Sequence, residues 1–223
     1  RAPEHVVLTQ VLEQFADQVR GLVRRKQLPG AHLFGRLLVA GDGTGITAFL
    51  VPTDAPGFQV EEFLWTFNMP TDHAEVSLTD VRVGADALFG EVDRGLELAQ
   101  HFVHENRIRQ AASSLGAAQY CIDEAVAYAN SRTTWGKKLS VNQGIQFPLA
   151  DLWAELEAIR LCVYKAAWEM DRFYQRGEGG HHDIATAAAI VKLRAPMLAW
   201  NAMNEVANWF GAAAYSKEYP IEM

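Results

Sequence analysis

The chain has 223 residues, of which 49% are hydrophobic and 21% charged, and its formal net charge is −7. This composition is that of a globular protein with enough apolar residues to build a sizeable core. The acidic balance gives no support to nucleic-acid binding, and no apolar run reaches the roughly 20 residues that a membrane span needs. The two cysteines, Cys121 and Cys162, lie in helical patterns, so we expect two buried thiols in a reducing compartment.

The first half of the chain changes its hydrophobic period. Residues 5–27 repeat apolar side chains every three or four positions, which predicts one buried helix face. Short apolar segments separated by turns then follow, and such segments are typical of a small antiparallel sheet. The predicted strands cover residues 33–40, 46–51, 58–65 and 74–83.

The second half is helical and rich in alanine. Long helices are predicted over residues 91–130, 144–175 and 185–210, with a turn at residues 176–180. Long helices joined by short turns are typical of an up-down bundle. Pro196 falls inside the third helix and should kink it.

These patterns predict the α+β fold class with three parts. A small antiparallel β domain is followed by a C-terminal up-down helical bundle, and part of an N-terminal helical domain precedes both. The predicted boundaries are residues 1–31 for the N-terminal helical segment, 32–89 for the sheet domain and 90–223 for the bundle.

The turn between the first two long helices has the composition of a binding site. A guanidinium pairs with two phosphate oxygens at once, an indole stacks on a ring, and side-chain amides pair with the edge of a heterocycle. A capped turn with a packed indole is the alternative that these residues leave open. The side chains concerned are those of Arg132, Thr134, Trp135, Asn142 and Gln143.

The histidines do not predict a metal site. His101 and His104 share a helix face, but no carboxylate follows them in a usual ligand pattern. His181, His182 and Asp183 read as the start of the third helix, where an acidic side chain suits the dipole. We therefore expect no bound metal.

Three motifs resemble the acyl-CoA dehydrogenase family, and together they cover residues 46–223. The first joins the Thr47–Phe58 and His73–Val83 segments of the sheet. The second is Arg-Thr-Thr-Trp-Gly-Lys-Lys-Leu from Arg132, with the segments at 142–143 and 147–151. The third runs from Asn208 to the Tyr-Pro pair that ends at Pro220.

The resemblance implies an FAD enzyme that desaturates acyl-CoA thioesters between the α and β carbons. A carboxylate removes the α proton, the flavin takes the β hydrogen as hydride, and electrons leave to an electron-transferring flavoprotein or a similar acceptor. It further implies a homotetramer built as a dimer of dimers, although a heteromer is also open. In such an assembly the turn that carries Arg132 reaches the FAD of the neighbouring subunit.

The resemblance also implies roles for the residues of the turn. Arg132 would bind the FAD diphosphate, and Thr134 would add a hydroxyl donor. Trp135, where the family usually has Phe, would lie beside the adenosine half with Asn142 and Gln143.

Residues near the chain end match a family segment that approaches FAD through its backbone, where small residues are needed. Asn208 stands where the family usually has Gln, and Ala212 stands where it has a second Gly after Gly211. A plain helix C-terminus is the alternative interpretation of this segment.

The segment that contains His104, Asn106 and Arg107 matches the family's acyl-CoA pocket, so the resemblance implies that these residues bind the substrate. Some subfamilies have a catalytic carboxylate at the position of Asn106, but an amide cannot abstract a proton. The adjacent Glu105 is not assigned as base, because one step along a helix turns a side chain by about 100°. The catalytic residue is therefore unknown, and we expect a Glu beyond Met223.

Two further expectations follow from the resemblance. The family carries a flavin-ring segment between its helical and sheet domains, so we expect the full-length protein to have more chain between Ala31 and Leu33. We expect a bacterial cytoplasmic or mitochondrial-matrix protein that is not secreted. The alternative function is a non-catalytic scaffold subunit of the same fold that pairs with an active dehydrogenase.

Overall fold

The computed structural model describes residues 36–40, 45–66, 69–219 and 221. They form two compact units, one ending at Phe102 and the other beginning at Val103. Small antiparallel sheets precede three long helices, which confirms the α+β class with its C-terminal bundle. The helix predicted at residues 5–27, and with it the N-terminal helical segment, lies outside the described residues. A domain boundary near residue 90 stays a prediction.

The first unit contains two separate antiparallel sheets. The three-stranded sheet has the order β1 (Arg36–Ala40), β2 (Thr47–Val51) and β5 (Leu88–Phe89). The other sheet is a hairpin of β3 (Phe58–Thr66) and β4 (Met69–Leu78).

Two of the strand predictions can be compared directly with these sheets. Ala40 pairs with Thr47, which confirms the hairpin predicted between the first two strands. The strand predicted to reach residue 83 ends at Leu78, because Asp80 has a φ of 51° that no extended strand accommodates.

The first helix, α1 (Gly95–Ser131), is fixed at its start by β2. The Gly95 N–H donates to the carbonyl of Ile46 at 2.6 Å, and the Asp93 N–H donates to the Thr47 hydroxyl at 3.0 Å. A Cβ on Gly95 would lie 2.7 Å from the backbone nitrogen of Ala48, so only glycine allows this approach. Helix α1 therefore starts at residue 95, four positions later than predicted.

The second unit is a bundle of the greater part of α1 with α2 (Gln143–Met170) and α3 (His181–Phe210). Each helix buries one stripe of side chains at intervals of three and four, many of them alanines, so the helices can approach closely. Each large aliphatic side chain in this core contributes roughly 1.5–3 kcal/mol by burial. The fully buried aliphatic residues of largest volume are Ile122, Leu156, Ile184, Leu198, Val191 and Val206.

The connection between α2 and α3 differs in part from the prediction. Residues 171–175, predicted as the last turn of an α-helix, form a π-helical turn. The turn predicted at residues 176–180 is confirmed, since Gly177 and Gly179 have φ values of 67° and 80°. The next helix begins at His181, which confirms the start predicted at His181, His182 and Asp183, four residues before the apolar pattern predicted from residue 185. The Gly180 N–H donates to the Asp183 carboxylate at 3.1 Å. This pairing confirms Asp183 in the first turn.

Two further expectations concern the bundle. Cys121 is buried, but Cys162 is exposed, so the expectation of two buried thiols is wrong for Cys162. Cys162 lines an open cavity between α2 and the start of α3, with His182, Asp183 and Thr186 among the lining residues. Pro196 lies within α3, which is helical on both sides of it, and the expected kink stays a prediction.

Candidate functional site: the turn between the first two helices

A two-residue hairpin projects from the turn between α1 and α2. Thr134 pairs with Lys137, and the two central residues, Trp135 and Gly136, have φ values of 54° and 79°. Two positive φ values are the pattern of a type I′ turn, which favours Asn-Gly. A bulky indole at the first position is strained by about 1–2 kcal/mol, yet the Trp135 side chain is fully exposed.

Arg132 joins this hairpin to the end of α1. Its N–H donates to the Tyr128 carbonyl at 2.8 Å, and its carbonyl accepts from the Leu139 N–H at 2.9 Å. The backbone is thus fixed at both sides, whereas the guanidinium is exposed and pairs with none of the described residues. Lys138 is used differently, since its ammonium donates to the Ser131 carbonyl at 3.2 Å. Arg132 therefore keeps its full donor capacity for another molecule.

The two side-chain amides at the start of α2 differ in their hydrogen bonding. The Asn142 side-chain oxygen accepts from the Gly144 N–H at 2.9 Å and caps α2. The neighbouring Gln143 is exposed, and its side chain has no hydrogen bond to a described residue. The capped-turn alternative is thus correct for Asn142, and Gln143 remains available for a ligand.

The end of α3 lies beside this turn. Tyr128 stacks on Phe210 with ring centroids 4.1 Å apart, and its hydroxyl donates to the Phe210 carbonyl at 3.4 Å. Arg132 is one turn after Tyr128, and Gly211 directly follows Phe210. The bundle therefore brings the two sequence motifs predicted to bind one cofactor to the same end.

Gly211 ends α3 in a conformation that only glycine adopts readily. Its φ is 60° and its ψ is −135°, and its N–H donates to the carbonyls of Ala207 and Asn208. Asn208, Gly211 and Ala212 are all exposed, and a Cβ on Gly211 would meet no atom within 4 Å. The helix C-terminus predicted as the alternative is present, and its exposed backbone leaves room for a flat ligand.

The residues predicted on the substrate side lie near the other end of the bundle. About 37 Å of α1 separates Asn106 from Ser131, at 1.5 Å per residue. His104 is completely buried, and its Nδ1 lies 3.0 Å from the Tyr174 hydroxyl. Its ring centroid is 5.4 Å from that of His181, so His104 packs inside the bundle. Asn106 and Arg107 are half-buried and remain candidates for ligand contact.

Three titratable groups in this region have shifted pKa values that sequence reasoning did not find. Burial raises the pKa of Tyr174 to about 12 and lowers the pKa of His101. Burial also raises the pKa of the Glu105 carboxyl, and the nearby Arg109 guanidinium opposes part of that rise. The sequence placed Glu105 beside Asn106 but carried no signal that its carboxyl is buried.

The described residues show neither a membrane-spanning helix nor a cluster of metal ligands. None of their helices is both long enough and apolar enough to cross a membrane. Within the same residues, no three His, Cys, Asp or Glu side chains lie close enough together to hold a metal ion.

The described residues thus contain small antiparallel sheets, three long helices and a turn with an exposed arginine. Residues 93–223 match the family model described as the C-terminal domain of acyl-CoA dehydrogenase. The chain belongs to the acyl-CoA dehydrogenase family.

Individual relatives agree with this assignment. The probable acyl-CoA dehydrogenase YngJ of Bacillus subtilis is 35% identical over 178 residues, which is 79% of this chain and 45% of the relative. The structure of butyryl-CoA dehydrogenase from Megasphaera elsdenii has a TM-score of 0.71 and 33% identity, over 83% of this chain and 47% of that one.

A further solved structure is similar at lower identity. The structure of the electron-transferring flavoprotein of Acidaminococcus fermentans has a TM-score of 0.72 and 28% identity, over 83% and 48% of the two chains. This chain thus spans about half the length of the relatives that it matches.

Proposed function

We propose that the full-length protein is an FAD-dependent acyl-CoA dehydrogenase that desaturates an acyl-CoA thioester between its α and β carbons. The observation that carries this proposal is the exposed Arg132 guanidinium, three residues before a strained and exposed indole. A cation without a described partner, in the same turn as a ring that can stack, fits the diphosphate and adenosine of a dinucleotide. The family membership supports the same ligand.

The residues present at this bundle end fit FAD in most respects. Arg132 and Thr134 offer donors for phosphate oxygens, Trp135 offers a ring, and Gln143 offers an amide. Asn142 contributes chiefly by holding α2 in place, because its side-chain oxygen is already used as a cap. When bound, FAD supplies the acceptor for the β hydrogen of the substrate.

The segment after α3 fits the same cofactor through its backbone. The exposed carbonyls and N–H groups around Gly211 lie beside the turn, because Tyr128 ties the two segments together. Ala212 is exposed, so the methyl group that replaces a family glycine lies at the surface of the described residues. We propose that Asn208, Gly211 and Ala212 line the cofactor site.

On the substrate side we propose contacts from Asn106 and Arg107, both half-buried on α1. His104 acts indirectly, because its ring is held inside the bundle by Tyr174. No described residue is assigned as the base that removes the α proton, and the expected Glu beyond Met223 stays a prediction.

The proposal includes an assembly of several copies of the chain. About 37 Å of helix separates the two groups of residues, so a site that uses both groups is completed more readily between two copies than along α1 of one copy. The outward faces of α2 and α3 are also apolar: Leu161, Leu193 and Trp200 are 68%, 62% and 64% exposed. Such a face is typical of a protein interface. We propose a homotetramer in which the turn of one copy binds the FAD of the next.

Partners and location follow from the same function. We propose an electron-transferring flavoprotein or a similar protein as the electron acceptor, which the family membership supports. The exposed free thiol of Cys162 suits a reducing compartment such as the bacterial cytoplasm or the mitochondrial matrix.

The test is purification of the full-length protein and two substitutions of Arg132. The wild-type protein is expected to be yellow and to bleach when acyl-CoA is added. Arg132→Ala should weaken FAD binding by roughly 10- to 100-fold, the value of a charge-assisted hydrogen-bonded pair. Arg132→Lys should recover only part of this loss, because an ammonium cannot pair with two oxygens in a fork.

The control is Arg94→Ala, which removes an exposed arginine that pairs with Glu91 and Glu97 instead of a ligand. Its FAD affinity should equal that of the wild type. A colourless full-length protein that still forms tetramers would contradict the enzyme and support the scaffold subunit.

A further inference from the structure

Arg109 lies one helical turn after two different acceptors on α1. Its Nη2 donates to the Asn106 Oδ1 at 2.6 Å, a contact between residues three apart. Glu105 is four residues before Arg109, a spacing that also lets side chains meet on a helix. Arg109 can therefore reach either the amide of Asn106 or the carboxyl of Glu105.

The Glu105 carboxyl lies in surroundings that favour its neutral form. The residue is only 8% exposed, and its Oε2 has no hydrogen-bond partner among the described residues. Burial holds its pKa above the ordinary value, so the neutral form persists to higher pH than in an exposed Glu.

The charged and titratable groups around Glu105 are few. Arg109 is the one charged group with an electrostatic effect on this carboxyl among the described residues. His101 lies one turn before it on α1. Tyr174 and His181, from the elements that follow α2, approach His104 and have no such effect on Glu105.

We propose that Arg109 is a positioning residue that exchanges between Asn106 and Glu105. The protonation state of Glu105 then determines which side-chain atoms of Asn106 are available to a ligand. A protonated carboxyl is a weak acceptor, and Arg109 then binds the Asn106 amide, as the structure shows. A carboxylate accepts charge-assisted hydrogen bonds that are roughly twice as strong as neutral ones. Ionisation of Glu105 therefore draws Arg109 away from Asn106.

The exchange changes the chemistry that Asn106 offers to a ligand. With Arg109 bound, one of the two acceptor positions of the Asn106 oxygen is taken by a cation, and the NH₂ group remains as a donor. With Arg109 on Glu105, both positions of the Asn106 oxygen become free to accept. This consequence rests on the proposed function, in which Asn106 contacts the acyl-CoA, and it makes acyl-CoA affinity depend on the charge of Glu105.

The direct test follows both groups during a pH titration of the full-length protein. The infrared carbonyl stretch of the protonated carboxyl reports Glu105, assigned by its loss in Glu105→Gln. The side-chain NH₂ signal of Asn106 in asparagine-labelled protein reports the amide, assigned by its loss in Asn106→Ser. We expect the two signals to change with the same midpoint, and we expect the Asn106 signal to become independent of pH in Glu105→Gln.

Substitutions of Arg109 and one control sharpen the test. Arg109→Met should uncouple Asn106 from Glu105 and raise the midpoint of Glu105, whereas Arg109→Lys should restore part of the coupling. Glu97→Gln removes an exposed carboxylate from the same helix, and it should leave the Asn106 titration unchanged. An Asn106 signal that stays fixed while Glu105 titrates, or that still shifts in Glu105→Gln, would overturn the proposal.

A ligand measurement separates this proposal from the proposed function. If both hold, the dissociation constant of acyl-CoA should change about fivefold across the Glu105 midpoint, the value of one hydrogen bond, and stay constant in Glu105→Gln. Absence of acyl-CoA binding at every pH would contradict the proposed function alone, since the infrared and amide titrations still decide whether Arg109 exchanges.

Discussion

The backbone conformation of Gly211 alone predicts whether a substitution there raises or lowers the free energy of unfolding. Its φ of 60° and ψ of −135° lie in a region that residues with a side chain rarely adopt. A Cβ added here would meet no atom within 4 Å, so Gly211→Ala introduces no steric clash with the surroundings. The substitution should therefore lower the free energy of unfolding by the torsional term, about 1–3 kcal/mol.

Gly116 is the matched control, because the same change there should have the opposite sign. It lies inside α1, it is exposed, and a Cβ added to it would also meet no atom within 4 Å. Glycine in a helix interior is less favourable than alanine by about 0.5–1 kcal/mol. Gly116→Ala should therefore raise the free energy of unfolding by that amount.

The assay is urea unfolding of both variants, followed by far-ultraviolet circular dichroism at one protein concentration, since assembly shifts the midpoint. The two variants should differ by about 1.5–4 kcal/mol, with Gly211→Ala the less stable. A Gly211→Ala protein as stable as the wild type would refute the conformation described for the end of α3.

Four further predictions concern the bundle and the turn. Leu156→Ala should lower the free energy of unfolding by about 2–5 kcal/mol because Leu156 is fully buried. Leu161→Asp on the 68% exposed face should instead weaken the tetramer, measured by light scattering. The pKa of Glu105 is raised in the folded state, so the wild type loses stability as the pH rises from the unfolded pKa of about 4.3 to the folded pKa. Glu105→Gln has no such loss, and its stability relative to the wild type should therefore increase over this range. A constant difference across pH would contradict this. Trp135→Asn should stabilise the turn by about 1 kcal/mol but weaken FAD binding, measured by absorbance titration.

The long helices α2 and α3 were predictable from the sequence. The interval of three and four residues in α2 and α3 gave both helices, because each must bury one stripe over more than 20 residues. The start of α1 was not predictable, because it depends on the contact of Gly95 with β2. The strand end at Leu78 was missed for a similar reason, since the positive φ of Asp80 has only a weak sequence signal.

The candidate site was predictable by residue type and only partly by role. The sequence identified Arg132 and the residues around it, and the structure leaves that guanidinium exposed without a described partner. It could not show that Asn142 caps α2 or that His104 is buried against Tyr174, because both facts depend on which way a side chain points. Arg109, which contacts Asn106, carried no signal at all in the sequence.

The conformation of Trp135 argues that the turn is completed by another molecule. An asparagine at this position would adopt a positive φ at lower energy, so the indole makes the isolated hairpin less stable. The ring gains nothing from the described residues in return, because it is fully exposed. Arg132 is exposed three residues earlier, and its backbone is fixed by hydrogen bonds with Tyr128 and Leu139. Strain in a rigid turn is retained where a bound partner offsets it, and a partner that offers both a flat ring and an anion would use both side chains at once.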